Sequence, residues 1–406
     1  MTVRVVEFFS GIGGMHYGLD VCAAANPALR FDVVSSFDIN PVANTVYQHN
    51  RQRCPVAKDI KGISVEDFAS LNADLWVLSP PCQPYTRTGL RRDHLDARAA
   101  PLCHLIHVLS RMQRPPMYIL VENVVNFEAS QSMAQLRNVL RQREFVVQVF
   151  VVCPTDLGIP NSRRRCYVLA KRQSPFAMHQ YDDCLVVGSI PGRSMVPATS
   201  IIPLTTLIPN VIIDADNVTE RKAACDTVED DDESDTDRVD SGVSMSTPYA
   251  KEYSTRDHAC AALSEYLEVP PWAASLMIPE SVVRRHGQAM DIVTPTMRKS
   301  NCFTKGYGSY VTGTGSVLLC DAPAGAITSK ADADQLKFSA PLPSLSLRYF
   351  SPREIANLQG FPSSFEFPDS ITLKQRYRLL GNSLNCSVVG SLLSYLLSPA
   401  VCSGVT

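Results

Sequence analysis

The sequence contains no hydrophobic run of about eighteen residues, and its first seven residues read as a strand rather than a signal peptide. We therefore expect no membrane segment, and a chain that works in the cytoplasm with the nucleus as a second compartment. Its thirteen cysteines include no Cys-x-x-Cys pair and no Cys/His grouping at zinc spacing. Neither a disulfide framework nor a metal site is expected.

The dinucleotide-binding fingerprint G-x-G-x-x-G is also missing, because His16 stands at its third glycine position. An apolar strand at residues 3–9, a glycine turn and a helix at 15–25 still open a nucleotide-type α/β fold, in which backbone amides at the helix start meet the ligand. The spacing Glu7-x-x-x-Gly11-x-Gly13 suits a cofactor without a pyrophosphate, which disfavours a nicotinamide dehydrogenase. A glycine turn that provides only tight packing is the alternative.

The net charge of −2 hides an asymmetry between two parts of the chain. Residues 214–240 contain twelve acidic and three basic residues, and subtracting their −9 leaves +7 for the remainder. The acidic, serine-rich stretch at about 214–248 cannot pack a core and is expected to be a disordered insertion. A basic body with an acidic insertion is compatible with a polyanionic partner.

The most informative stretch, SPPCQP at residues 79–84, follows an apolar run at 74–78 that reads as a buried strand. Cys82 therefore stands on a loop at the carboxyl end of a strand, where ligands collect in open α/β sheets. The prolines stiffen this loop and hold the sulfur in one place. Cys82 is a candidate nucleophile, and a small buried hydrophobe is the other interpretation.

A second strand tip carries Glu122, after the apolar residues 117–121. A carboxylate there is costly unless it is paired, which makes Glu122 a candidate acid, with a structural salt bridge as the alternative. In NSRRR at 161–165, extended geometry would point Arg163 and Arg165 to one side. Two guanidinium groups on one face suit a phosphate or a flipped base, whereas a solvated basic edge is the plainer interpretation.

Acidic residues at two further positions could hold a nucleoside. Asp38 ends the strand at 31–37 and could bind both ribose hydroxyls, although a helix N-cap would also explain it. Asp59 could take an adenine amino group while Ile60 packs on the ring. Residues 300–310, SNCFTKGYGSY, could hold phosphates and stack bases, and a plain glycine-rich loop would look similar.

Together these residues fit one reaction, the methylation of carbon 5 of a cytosine. The Cys82 thiolate would add to carbon 6 of the base while the Glu122 carboxyl protonates or hydrogen-bonds ring nitrogen 3. Arg163 and Arg165 would hold the base carbonyl and backbone, and a base would remove the carbon 5 proton. The target must leave its stack to reach the sulfur.

The ordered motifs FSGIGG at 9–14, SPPCQP at 79–84, ENV at 122–124, NSRRR at 161–165 and GNS at 381–383 resemble the cytosine-5 methyltransferase family. The resemblance implies a Rossmann-like class I methyltransferase sheet with helices on both faces, plus a smaller inserted recognition domain. It implies S-adenosyl-L-methionine as cofactor and no metal. The catalytic positions that it implies are Cys82, Glu122, Arg163 and Arg165. The implied cofactor-binding positions are Phe9, Gly11, Ile12, Gly13, Gly14, Asp38, Ile39, Asp59, Ile60, Ser79, Pro81, Asn382 and Ser383.

The small domain resembles more narrowly the tRNA (cytosine-5) methyltransferase group formerly classed with DNA methyltransferases, through CFT at 302–304 and KQRYRLLGNSL at 374–384. That group acts on an anticodon-loop cytosine of aspartate tRNA, so the resemblance implies tRNA as the partner. An unpaired loop base costs less to extrude than one in a duplex. The expected substrate-binding positions are Arg87, Arg91, Arg92, Cys302, Phe303, Thr304, Lys305, Lys374, Arg376 and Arg378.

For the domain organisation, we place the first part of the catalytic domain at residues 1–189, the target-recognition domain at 190–346 and the return to the catalytic domain at 347–406. The apolar helix at 388–397 is expected to return to the first sheet, and the chain is expected to be a monomer. Two other functions stay open. DNA could be the substrate with the same chemistry, or the chain could be a nucleic-acid-binding protein that has lost activity, although intact catalytic positions argue against the latter. For Cys302, a structural role is favoured over a chemical one.

Overall fold

The computed structural model describes residues 1–82, 97–194, 197–207, 260–268, 273–320, 329–339 and 346–399. In these residues the chain folds as a mixed α/β structure built on a large sheet. The strands are β1 (Thr2–Phe8), β2 (Arg30–Phe37), β3 (Leu75–Leu78), β4 (Tyr118–Val124), β5 (Val146–Val152), β6 (Asn161–Ser162), β7 (Arg165–Lys171), β8 (Cys184–Val187), β9 (Ser200–Pro203), β10 (Asp291–Val293), β11 (Ser300–Asn301), β12 (Ser316–Leu319) and β13 (Leu347–Arg348). The helices are α1 (Gly14–Ala25), α2 (Pro41–Arg51), α3 (Val65–Ser70), α4 (Ala100–Arg111), α5 (Gln131–Gln142), α6 (Leu204–Leu207), α7 (Glu280–His286), α8 (Lys330–Ser339), α9 (Pro352–Leu358), α10 (Leu373–Asn382) and α11 (Cys386–Leu396).

The large sheet has the strand order β2-β1-β3-β4-β7-β5-β8-β9. Strands β1 to β4 run parallel to their neighbours in this order, whereas β7 lies antiparallel between β4 and β5. The carboxyl ends of β1, β3 and β4 therefore lie side by side at one edge of the sheet. Val56 forms an isolated bridge with Phe37, the last residue of β2.

Alternating side chains of β1 show how the sheet is buried on both faces. Val6 and Phe8 belong to a core that includes α4 and α5, whereas Val3 and Val5 belong to a second core that includes α1 and α11. All four side chains are fully buried, as is typical of a largely parallel sheet between two helical layers. The predicted α/β sheet with helices on both faces is confirmed, and so is the return of the closing helix to it.

A third core joins β10 and β12 of the second half of the chain to α9 and α10. Helix α9 begins with Ser351, whose side chain caps the helix reciprocally with Glu354. The same core includes Ile12 and Tyr17. The C-terminal helices therefore connect the smaller part of the molecule to the glycine turn.

The large sheet continues past the predicted domain boundary at residue 190, because β9 pairs with β8. The domain limits themselves stay predictions. The acidic stretch at about 214–248 lies outside the described residues. Among the described helices, none combines the length and the hydrophobicity that crossing a membrane requires.

Candidate active site

Three neighbouring strand ends form what we call the strand-tip region: residues 7–14 around the end of β1, residues 79–82 after β3, and residues 122–124 at the end of β4. Register fixes their arrangement, since Leu78 pairs with Phe8 on one side and with Val121 on the other. Cys82 is therefore four residues past a strand end that adjoins the strand of Glu122. The pairing of β3 with β4 thus places Cys82 and Glu122 at the same edge of the sheet.

Side-chain bonds fix the loop that leads to Cys82. Ser79 Oγ donates to the Phe9 carbonyl at 2.9 Å, and Asn123 Nδ2 donates to the Pro80 carbonyl at 3.3 Å. The loop is therefore tied to the glycine turn on one side and to the end of β4 on the other. The Cys82 side chain is only partly buried, as a nucleophile that must meet a substrate requires.

Glu122 fits both interpretations from the sequence, a candidate acid and a partner in a salt bridge. Its side chain is 8% exposed, and Arg165 Nε lies 3.4 Å from Glu122 Oε1. Burial raises the pKa of Glu122, while Arg165 and Arg163 pull this pKa down without cancelling the rise. A carboxyl group with a raised pKa can carry the proton that a bond to a ring nitrogen requires.

Arg165 connects the predicted reactive groups. Burial lowers the pKa of Arg165, but the charges of Cys302, Glu122 and Cys82 outweigh burial and raise it. The two predicted catalytic residues Cys82 and Glu122 thus lie within electrostatic range of one guanidinium group.

A second cluster, which we call the clamp region, consists of Arg163, residues 301–305 and residues 381–384. The pairing of β6 with β11 brings Arg163 next to Cys302. Arg163 Nη1 donates to Cys302 Sγ at 3.2 Å and to the Phe303 carbonyl at 3.1 Å. Arg163 Nη2 donates to the Gly381 carbonyl at 3.0 Å and also to the Ser383 carbonyl. Arg163 is 3% exposed. Both terminal nitrogens are thus engaged by protein atoms, and the expected contact of Arg163 with the base carbonyl is not supported by this placement.

Backbones in the clamp region touch directly. A Cβ at Gly381 would lie 2.2 Å from the Lys305 nitrogen and from the Thr304 carbonyl carbon, so only glycine fits between them. Ser383 Oγ lies 3.1 Å from the position of a Cβ on Gly14. The clamp region therefore reaches from the predicted recognition loop to the predicted cofactor turn.

Cys302 is electrostatically unlike an ordinary buried cysteine. Burial opposes ionisation of its thiol, but Arg163 and Arg165 outweigh burial and lower the pKa of Cys302. No local sequence pattern indicates this lowered pKa, because Arg163 stands 139 positions earlier in the chain.

The glycine turn is open around Gly11. Gly11 has a φ of 52°, and a Cβ placed on it would meet no heavy atom within 4 Å. Asp38 Oδ2 accepts from the Gly11 nitrogen at 2.7 Å and Asp38 Oδ1 accepts from the Asn40 nitrogen at 2.8 Å. Each carboxylate oxygen retains a lone pair for a hydroxyl donor. Asn40, and not Asp38, caps α2, and the neighbouring Ile39 is 71% exposed, so an apolar side chain is free to meet a base.

The remaining predicted cofactor positions are placed differently. Asp59 caps a short 3₁₀ turn, accepting from the Lys61 nitrogen at 3.0 Å. Ile60 is 5% exposed and packs in the core of the sheet, so it does not offer an open face. Phe9, Ile12, Gly13, Gly14, Ser79 and Pro81 lie in the strand-tip region, and Asn382 and Ser383 lie in the clamp region.

The predicted substrate-binding positions divide into buried and exposed groups. Phe303 is 2% exposed and its ring packs edge-on against Tyr307 and Phe350, and Thr304 is 7% exposed. Their burial does not support direct contact with RNA.

Arg376 donates to the Ile371 and Pro368 carbonyls, which indicates a structural bond. Lys374 and Arg378 are exposed four residues apart on α10, and Lys305 is partly exposed. Arg87, Arg91 and Arg92 lie outside the described residues.

Sequence reasoning missed Tyr47, whose hydroxyl donates to Glu7 Oε2 at 2.8 Å. An aromatic residue on an amphipathic helix reads as core, and nothing in the local pattern reveals a buried acid as its partner. Across the described ranges, no cluster of three His, Cys, Asp or Glu side chains could hold a metal ion.

Comparisons with known proteins show which family the chain is similar to. A family model described as C-5 cytosine-specific DNA methylase matches residues 3–397. A protein of Mus musculus named tRNA (cytosine(38)-C(5))-methyltransferase is 39% identical over 97% of this chain and 93% of its own. A protein of Dictyostelium discoideum named DNA (cytosine-5)-methyltransferase is 32% identical over 98% and 95%. The solved Entamoeba histolytica methyltransferase EhMeth matches with a TM-score of 0.70 at 28% identity, over 98% of each chain.

Proposed function

The chain belongs to the C-5 cytosine-specific DNA methylase family, and from this membership we propose that it transfers a methyl group from S-adenosyl-L-methionine to carbon 5 of a cytosine in tRNA. The observation that carries the proposal is the placement of Cys82 and Glu122 at adjacent strand ends, beside the glycine turn and within electrostatic range of Arg165. The relatives named for cytosine 38 support an anticodon-loop target, and the motifs of the small domain favour aspartate tRNA.

Cys82 and Glu122 divide the chemistry on the extruded base. The Cys82 thiolate forms a bond to carbon 6, and the Glu122 carboxyl donates to nitrogen 3, so the displaced electron pair reaches carbon 5 without building a full charge on the ring. When bound, the cofactor supplies an electrophilic methyl group on a sulfonium. A base then takes the carbon 5 proton, and the bond between carbon 6 and sulfur breaks.

Arg165 and the clamp region orient these groups. Arg165 holds the Glu122 carboxyl from one side and lies within electrostatic range of Cys82. The exposed Lys374 and Arg378 and the partly exposed Lys305 supply positive charge for phosphates near the clamp region. We propose that the target RNA crosses this face.

Side-by-side methyl transfer tests the substrate. The purified protein would receive S-adenosyl-L-methionine with a methyl label and one of three nucleic acids: an aspartate tRNA transcript, the same transcript with uridine in place of cytosine 38, or duplex DNA. We expect label only in the first, with bisulfite sequencing placing the methyl group at that cytosine. Label in the uridine transcript would show that a base other than cytosine 38 is methylated.

DNA as substrate is the second candidate, because a relative at 32% identity carries the name DNA (cytosine-5)-methyltransferase. A higher rate on duplex DNA than on tRNA would establish this candidate and contradict ours. A chain that binds tRNA but transfers no methyl group to either would instead be a binding protein. The monomeric state and the cytoplasmic and nuclear locations stay predictions.

A further inference from the structure

A chain of polar contacts lies beneath the glycine turn and is not used by the chemistry above. Glu7, the penultimate residue of β1, is 0% exposed. Tyr47 of α2 donates from its hydroxyl to Glu7 Oε2 at 2.8 Å, and His16 Nδ1 of α1 lies 2.7 Å from the same hydroxyl oxygen. One hydroxyl group therefore connects the strand that precedes the turn with both helices that flank it.

The ring of Tyr47 also supports the turn from below. A Cβ on Gly13 would lie 3.3 Å from Tyr47 Cδ2 and Cε2, and Gly13 has a φ of 88°. Tyr47 is itself 0% exposed, so the ring has no room to move away from the turn. The position of the turn thus depends on Tyr47 through packing as well as through its hydrogen bonds.

The buried acid at the end of this chain is incompletely satisfied. Glu7 Oε1 has no hydrogen-bond partner within the part of the chain that the structure describes, and Ser36 is the residue paired with Glu7 on β2. Burial raises the pKa of Glu7 to about 8, and the bond from Tyr47 counteracts this rise. The titratable and charged groups that act on Glu7 from the elements around it are Tyr47 and Arg51 of α2, Asp38 after β2 and Cys386 of α11, and the His16 backbone of α1 contributes a hydrogen bond that lowers the pKa of Glu7.

We propose that Tyr47 is a positioning residue of the cofactor site, which acts through Glu7 and the glycine turn and is itself held by His16. The inference rests on the proposed function, since it concerns the binding of the methyl donor. A carboxylate beneath the turn favours a ligand that carries positive charge. S-adenosylhomocysteine, which keeps the ammonium group of the methyl donor, is the probe for this effect.

The effect should appear as a pH dependence of binding. The affinity for S-adenosylhomocysteine is expected to rise with pH as Glu7 loses its proton, with a midpoint near the Glu7 pKa of about 8. Removing the Tyr47 hydroxyl removes the bond that favours the ionised acid. The midpoint then moves to higher pH, whereas damage to packing alone would weaken binding at all pH values equally.

Calorimetric titration of the full chain with S-adenosylhomocysteine, from about pH 6.5 to about pH 9.5, tests the inference. For Tyr47→Phe, which keeps the ring, we expect roughly tenfold weaker binding at neutral pH and the midpoint shift. Tyr17→Phe is the matched control, because Tyr17 Cδ2 is also near the Gly13 Cβ position, at 3.9 Å, whereas the hydroxyl that bonds Glu7 is that of Tyr47. The Tyr17→Phe variant should bind S-adenosylhomocysteine with the affinity of the wild type.

A second variant keeps the inference testable if Tyr47→Phe folds poorly. His16→Gln leaves the bond between Tyr47 and Glu7 in place and removes only its anchor, so a smaller loss of affinity in the same direction is expected. Wild-type affinity and an unshifted midpoint in both variants would overturn the inference. A wild-type chain that binds no S-adenosylhomocysteine at any pH would instead contradict the proposed function.

Discussion

The strand-tip region and the clamp region use buried charge in opposite ways. In the strand-tip region, burial raises the pKa of both Glu7 and Glu122, so these acids hold their protons to higher pH. In the clamp region, burial acts against ionisation of Cys302 as well, but Arg163 and Arg165 outweigh it and lower the pKa. At Cys302, hydrogen bonding adds to the charges of Arg163 and Arg165, and together they outweigh burial. At Glu122, the charges of the same two arginines do not outweigh burial, so proximity to a guanidinium group does not by itself decide which group is ionised.

The two regions also differ in how they are assembled. The strand-tip region comes from adjacent parallel strands, whose register places the ends of β1, β3 and β4 at one edge. The clamp region joins Arg163 to residues 139 and 218 positions away in the chain. The first arrangement should therefore tolerate changes in side chains without losing its shape, whereas the second should not.

The largest expected effect separates the two cysteines. Cys82→Ala should abolish methyl transfer to tRNA while sparing the affinity for S-adenosylhomocysteine, because it removes the atom that bonds to the base. Cys302→Ala removes one of the acceptors of Arg163 and should only reduce the rate. Radiolabel transfer and calorimetry measure both. Activity retained by Cys82→Ala would show that Cys82 is not the nucleophile.

Glu122→Gln should lower the rate constant of methyl transfer by roughly 10² to 10⁴, which is the usual contribution of a general acid. The amide can still donate a hydrogen bond but cannot transfer a proton. The wild-type rate should fall as pH rises through the raised pKa of Glu122, and this alkaline decline should be absent in the variant. Single-turnover rates across pH provide the measurement, and an identical alkaline decline in both proteins would exclude Glu122 as the acid.

Gly381→Ala tests the backbone contact in the clamp region. The added Cβ would lie 2.2 Å from two backbone atoms, so the backbone must shift, at a cost of about 3 kcal/mol in the free energy of unfolding. Gly62→Ala is the control, since a Cβ there would meet only the end of the Lys58 side chain at 4.0 Å. Urea denaturation compares the two variants. Equal stability would mean that the clamp region adapts as easily as a surface turn.

Arg163→Lys and Arg165→Lys should separate a structural arginine from a catalytic one. A lysine at 163 cannot bridge both chain segments, and we expect a loss of about 1–3 kcal/mol in unfolding free energy. A lysine at 165 should leave stability close to wild type and lower the rate of transfer. A larger loss of unfolding free energy for Arg165→Lys than for Arg163→Lys, measured in denaturant, would contradict this assignment of roles.

Cys82 and Glu122 could be placed together from sequence, because apolar strands followed by turn residues are local patterns and parallel strands share one carboxyl edge. The glycine turn was predictable for the same reason, and Gly11 indeed has the positive φ that the turn requires. For Asp38, the sequence left ribose binding and helix capping open, and Asn40 takes the cap.

Burial and long-range contact were beyond the sequence. Phe303 and Arg163 are of residue types that are common on RNA-binding surfaces. In the structure, however, Phe303 packs in a core and Arg163 donates hydrogen bonds to backbone carbonyls. The bond between Tyr47 and Glu7 likewise joins residues 40 positions apart.

By itself, the sequence determined the kind of sheet, the family and the edge at which the chemistry lies, since each depends on neighbours along the chain or on adjacent strands. Only the tertiary structure decided which arginine supports the backbone and which one faces the acid, because that choice depends on segments brought together by folding.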